Sequence, residues 1–186
     1  LYQNSMKQLK KAWVVSVDMG YGHQRAAYPL KDIAYKRIIT ANSDKIISAK
    51  EKKMWGRTQS FYEKVSRGSS SGIGRIFFNL FARGQSISPY YPFRDLSKPS
   101  IIVNYIDSKI KKGLSKSAID FAKTKELPFI ATFFIPAIAA SYYKIKEIYC
   151  VVTDSDINRV WVAKEPKKSK INYLVPTQHT VRRLIE

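Results

Sequence analysis

One of the two histidines in this chain, His23, stands where a side chain could do chemistry. It closes the run Gly20-Tyr21-Gly22-His23. Imidazole is the side chain best matched to proton transfer near neutral pH. Paired glycines let a ligand come close to the backbone. A helix starting here would offer unpaired N–H groups to an anion or a developing oxyanion. The run lacks the third glycine of a dinucleotide-binding fingerprint, and the chain has no Walker phosphate loop. The structural alternative is a histidine that only bonds the helix start. A second segment, Tyr149-Cys150-Val151-Val152-Thr153-Asp154-Ser155-Asp156, is apolar and ends in two acids. An Asp154-x-Asp156 pair could hold a divalent cation against a diphosphate. A strand-end turn, with either acid bonded to nearby backbone N–H groups, is the preferred reading, so no metal is assigned. Asp154 could then orient an imidazole or a substrate hydroxyl without a metal. Cys150 in mid-strand reads as a buried small hydrophobe rather than a nucleophile. His179, early in the last helix, is given no role.

These residues need elements to position them. Ala12–Val17 is a short apolar run, the mark of a parallel strand buried on both faces. Asp18–Gly22 is the loop after it, and His23–Arg37 has the spacing of a helix, with Pro29 early in it. Ile38–Ala41 and Ile46–Ser48 are strand candidates, and Lys50–Val65 is a helix. Ser66–Gly72 is a loop, Ile73–Ala82 an apolar segment, and Ser88–Pro92 a break. Helices over Ile101–Lys112 and Ser115–Lys123 are separated by Gly113. A strand at Phe129–Phe134, a helix at Pro136–Lys144 and a strand at Ile148–Thr153 follow. Ile171–Val175 and Thr177–Glu186 complete the series as strand and helix. Alternating apolar strands and longer helices predict an α/β fold, a parallel Rossmann-like sheet flanked by helices. Ligands in such sheets sit outside the carboxyl ends of the strands, which selects Asp18–His23 and Thr153–Asp156.

The composition bounds the class. With 186 residues, 45% hydrophobic and 25% charged, the chain can bury a core without staples, and its single cysteine excludes a disulfide scaffold. Lys plus Arg is 33 against 14 acids, a net +19 spread along the whole chain, with Lys167, Lys168 and Lys170 a dense patch. Such a field attracts polyanions: anionic lipid, nucleic acid or phosphorylated substrates. A solvated lysine-rich surface is the plain alternative. No nucleic-acid-binding motif is present, so no specific nucleic acid is expected. Arg75-Ile76-Phe77-Phe78-Asn79-Leu80-Phe81-Ala82-Arg83 is apolar with basic ends. Laid flat, Phe77, Phe78 and Phe81 would enter a bilayer interface while Arg75 and Arg83 meet headgroups; a core helix is the alternative. The longest uncharged stretch, Leu127–Tyr143, contains Pro128 and Pro136 and reads as a buried strand and helix rather than a membrane span. Residues 1–5 resemble the remnant of a cleavable tag, with Met6 the expected start and residues 6–186 one domain. One cysteine and no export signal point to the cytoplasm, and the basic charge with the Arg75–Arg83 segment to a place peripheral on the inner face of the membrane.

Ser16-Val17-Asp18-Met19-Gly20-Tyr21-Gly22-His23-Gln24-Arg25-Ala26-Ala27 resembles the first loop of monogalactosyldiacylglycerol-synthase-like glycosyltransferases. Val152-Thr153-Asp154, Trp161 and Tyr173-Leu174-Val175-Pro176-Thr177 resemble the end of that family's N-terminal domain. The related peptidoglycan lipid-linked glycosyltransferases share the Gly-His loop. Asp18-Met19 departs from the small residues expected before the glycines, and no histidine lies between Asp154 and Trp161, where plant-type members have one. The resemblance implies the N-terminal, acceptor-side half of a GT-B architecture, with the donor-binding C-terminal domain outside this chain and the isolated chain inactive. It implies His23 as general base with Asp154 beside it. Gly20, Tyr21, Gly22, Gln24, Thr153 and Trp161 become substrate contacts. The implied substrates are a nucleotide-sugar donor and a lipid or glycan acceptor, with no cofactor. A metal-dependent GT-A-type transferase using Asp154 and Asp156, or a non-catalytic lipid- or polyanion-binding module, stands as the alternative.

Overall fold

The computed structural model describes residues 10–67, 98–155 and 157–185. Five strands form one all-parallel sheet: β1 (Trp13–Ser16), β2 (Ile39–Thr40), β3 (Phe129–Ala131), β4 (Ile148–Val151) and β5 (Ile171–Leu174), in the order β2-β1-β3-β4-β5. The fold is therefore α/β and Rossmann-like, as the sequence predicts. All four residues of β1 are buried, because the strand lies between β2 and β3 with helices on both faces. Register follows from its pairs: Val15 opposite Ile39 on one side, Val14 opposite Ile130 on the other.

Among the described residues, six helices flank the sheet: α1 (Tyr21–Ala27), α2 (Ala49–Arg67), α3 (Ile101–Lys111), α4 (Lys116–Ala122), α5 (Phe134–Tyr142) and α6 (Gln178–Ile185). Side chains alternate along β1, and the two faces have separate cores. Val14 packs with Ala27 and Ala34 on the α1 side. Trp13 and Val15 join the large core built with Trp55, Ile110, Ile119, Ile135 and Ile138 on the other. Right-handed crossovers account for this division, with α1 on one face and α2–α5 opposite. Helix α5 is buried along Phe134–Ala140, and its alanines let it lie close over β3 and β4.

Four expectations are corrected. The helix expected over His23–Arg37 stops at Ala27 and passes into a 3-10 turn, Tyr28–Asp32. Beyond it the chain is captured by β1: Ala12 N–H donates to Ile33 O at 2.9 Å and Tyr35 N–H to Ala12 O at 2.7 Å. A bridge between Ala34 and Ala12, just before β1, overrides helical spacing here. Ile46–Ser48 is not a strand. The Asp44 carboxylate accepts from Ile46 N–H at 3.1 Å, making a turn, and Ser48 Oγ accepts from Glu51 N–H at 3.2 Å to open α2. Helix α5 starts two residues before Pro136, which therefore falls in the first turn, where a missing N–H costs nothing. Ser66 and Arg67, expected in a loop, belong to α2. The rest of that loop, the apolar segment after it and the Ser88–Pro92 break lie outside the described residues. No helix among the described residues is long and apolar enough to cross a membrane, and Leu127–Tyr143 holds β3 and α5.

Glu51 links α2 to α4. It is 3% exposed, its Oε2 accepts from Ser117 N–H at 2.9 Å, and its Oε1 makes no hydrogen bond among the described residues. Burial pushes its carboxyl above the usual range, and the Ser117 bond offsets only part of that. The folded chain thus holds this proton more tightly than the unfolded chain. Stability from this group is full below about pH 4.3 and falls as pH rises through the folded pKa. Glu51→Gln should melt about 2–4 °C higher than wild type at pH 8, the shift that about 1 kcal/mol gives a domain of this size. The gap should close near pH 4. A variant that melts lower at pH 8 would contradict this account of the buried carboxyl.

Candidate functional site

The site is assembled from the carboxyl ends of β1, β3 and β4, at the point where the strand order reverses direction. After β1 the chain must turn sharply into α1. Gly20 makes the turn with φ 125, a conformation costly for any residue with a Cβ. Gly20 is also the N-cap of α1 and supplies no side-chain bond there. Gly22 differs: a Cβ at that position would meet nothing within 4 Å, so the protein's own packing does not demand a glycine. Tyr21 is 83% exposed. The loop is tied down by Asn42, in the turn after β2. Asp18 N–H donates to Asn42 Oδ1 at 2.9 Å, and Asn42 Nδ2 donates back to Asp18 O at 3.0 Å. Gln24 donates from Nε2 to Asp18 Oδ1 at 2.7 Å. Its amide nitrogen is thus engaged within the loop, which gives the departure Asp18 a structural role.

His23 faces inward from α1, half-buried. Its Nδ1 lies 3.0 Å from the carbonyl oxygen of Thr132, the residue after β3. A carbonyl only accepts, so Nδ1 carries the proton, and the lone pair of the neutral ring is on Nε2. Thr153 Oγ1, beyond β4, lies 2.9 Å from the same Nδ1. Thr132 is wholly buried and answers the contact: its Oγ1 donates to His23 O at 2.9 Å and lies 3.2 Å from Ser16 Oγ. Phe133 packs edge-on against the imidazole, with ring centroids 4.6 Å apart.

Asp154 and Trp161 form a second pair beside the ring. The Trp161 indole N–H donates to Asp154 Oδ2 at 2.9 Å. Trp161 is 1% exposed, packed on Phe133 and Phe134, and its carbonyl accepts from Tyr173 O–H at 2.8 Å. The indole of Trp161, expected as a substrate contact, is buried here and is bonded to Asp154. Asp154 itself is exposed. Asp156 lies outside the described residues, as do Arg75, Phe77, Phe78, Phe81 and Arg83. Among the described residues, no three His, Cys, Asp or Glu side chains cluster as metal ligands. Cys150 is wholly buried and burial pushes its thiol far up, so it is inert as a nucleophile. His179 is exposed and accepts from Arg183 Nε–H at 2.9 Å, away from this cluster.

Burial lowers the His23 pKa from its usual 6.5; the Thr132 carbonyl and the negative field of Asp154 offset part of that. The ring is neutral at pH 7, with Nε2 able to take a proton. Sequence reasoning missed Thr132, Phe133 and Asn42. None belongs to a motif, and only the sheet order brings Thr132 next to β1. Comparison with protein-family models, curated proteins and solved structures finds no match to this chain. The site is therefore read from its own geometry.

A pH titration of the His23 ring resonances by NMR should give a midpoint below 6.5. Asp154→Asn removes the charge that favours the imidazolium and should move the midpoint lower still. A midpoint that rises in Asp154→Asn would mean that the carboxylate does not act on this ring.

Proposed function

We propose that this chain is the acceptor-side domain of a glycosyltransferase, in which His23 is the general base that activates an acceptor hydroxyl. The observation that carries the reading is the neutral imidazole with Nδ1–H fixed on Thr132 O and Nε2 left as the acceptor. That is the arrangement a base catalyst needs before reaction. The strand-end position and the likeness of the Gly20–His23 loop to the glycosyltransferase family support it.

The chemistry is a single displacement. The acceptor hydroxyl donates its hydrogen bond to Nε2. Its oxygen forms a bond to the anomeric carbon of the nucleotide sugar. The carbon–oxygen bond to the diphosphate breaks, and that electron pair leaves with the diphosphate. The hydroxyl proton ends on Nε2, and one such displacement inverts the anomeric carbon. The imidazolium formed is stabilised by Thr132 O on Nδ1–H and by the charge of Asp154. Gly20 caps α1 without a side chain, which leaves first-turn N–H groups open toward the departing diphosphate. Space beside Gly22 admits the acceptor. A facing donor domain would hold the nucleotide, and the acceptor is a lipid or glycan hydroxyl. The net +19 charge favours an anionic lipid surface as the place of reaction, at the cytoplasmic face of the membrane.

The test is transfer of labelled hexose from a panel of nucleotide sugars to lipid and glycan acceptors, by an enzyme that contains this domain. His23→Ala should lower turnover at least ~10²-fold, the low end for loss of a general base. Turnover should fall as pH drops through a midpoint below 6.5, where the base becomes protonated. Unchanged turnover in His23→Ala would remove this residue from the mechanism.

A further inference from the structure

Helix α1 and the turn that follows it present an aromatic and basic stripe to solvent. Tyr21 is 83% and Tyr28 64% exposed, and Arg25 between them is exposed too. The spacing i, i+4, i+7 sets the three along one line of the helix. The opposite line is buried, with Ala27 packed on Val14. Two large rings on one short helical face are an unusual investment of apolar surface in water. Cations surround them. Lys31 Nζ stands 4.8 Å from the Tyr28 ring centroid, and exposed Lys11 donates to Asp32 O at 2.9 Å. Arg25, Lys31 and Lys11 thus outnumber the two exposed acids here, Asp32 and Asp18, the second of which is bonded to Gln24.

Each component has a preferred partner. A tyrosine has an apolar body and a polar tip, and it settles at the headgroup level of a bilayer. Arginine and lysine beside it meet anionic headgroups. A straight stripe on a convex helix suits a flat surface better than a groove-bound strand. The overall +19 charge draws the whole domain to such a surface. We propose that Tyr21, Arg25, Tyr28 and Lys31 dock this domain on an anionic lipid bilayer. The surface argues for this partner by itself. That docking also delivers a membrane acceptor to His23, on the same helix, rests on the transferase reading.

The test is co-sedimentation of the full chain with vesicles at physiological salt. Phosphatidylcholine vesicles containing phosphatidylglycerol are compared with pure phosphatidylcholine. Wild type should pellet with the mixed vesicles and stay in solution with the neutral ones. Arg25→Gln/Lys31→Gln should lower partitioning roughly 25-fold, about fivefold per charge removed at the surface. Tyr21→Ser/Tyr28→Ser should lower it about tenfold or more and leave the salt dependence intact. Lys52→Gln/Lys53→Gln removes the same charge from exposed positions on α2, across the sheet, and should change partitioning less than about twofold. Circular dichroism and melting should show each variant folded. A tyrosine variant that pellets like wild type overturns the proposal. So does an equal loss in Lys52→Gln/Lys53→Gln, which would make the attraction diffuse charge. A wild type that ignores vesicles but forms a dimer broken by Tyr21→Ser/Tyr28→Ser would make a second copy the occupant. Sedimentation needs no turnover, so its failure and that of the transferase reading are separately visible.

Discussion

A two-way hydrogen bond between α1 and the end of β3 organises the site. Thr132 O accepts from His23 Nδ1–H, and Thr132 Oγ1 donates to His23 O. Thr132 is wholly buried, and β3 lies in the middle of the sheet. The imidazole is therefore held by a fully buried residue at the carboxyl end of the middle strand. A carbonyl leaves no choice of tautomer, because it can only accept. One backbone contact thus fixes the tautomer of the ring, where it points and where α1 sits over the sheet.

Around that contact two opposing influences act on the ring. Burial against Phe133 disfavours the charged form, while Thr132 O and Asp154 favour it. Burial wins, which keeps the ring neutral at neutral pH. The two favouring groups act once a proton arrives, when the positive charge needs stabilising. Asp154 is effective only if its carboxylate is held, and the Trp161 indole holds it. Trp161 is in turn fixed by packing and by Tyr173. The β4–β5 connection thereby contributes to the proton chemistry of a residue on α1.

Much of this fold is legible in the amino-acid sequence, and the rest is not for identifiable reasons. The parallel strands read clearly because burial on both faces removes polar residues, as in Trp13–Ser16 and Phe129–Ala131. Gly20 and the place of His23 in the first turn of α1 read clearly because a strand-to-helix turn needs the glycine. Thr132 is silent in the sequence. It lies 109 residues from His23, and a threonine at a strand end resembles any satisfied core hydroxyl. The end of α1 is misread because Ile33–Tyr35 keep helical spacing, yet their backbone pairs with Ala12. The bond between Trp161 and Asp154 is silent for a related reason: an indole near a motif suggests a ligand contact, and only packing shows it buried and bonded to Asp154.

The most direct test is the tautomer of His23 at neutral pH, from long-range proton–nitrogen NMR correlations of a nitrogen-15-labelled chain. The account predicts a neutral ring with a protonated, pyrrole-type Nδ1 and an unprotonated, pyridine-type Nε2. The pattern should persist in Asp154→Asn and be lost only at acid pH. A ring protonated on Nε2, or doubly protonated at pH 7, would leave no lone pair facing a substrate and would contradict the assignment of His23 as a base.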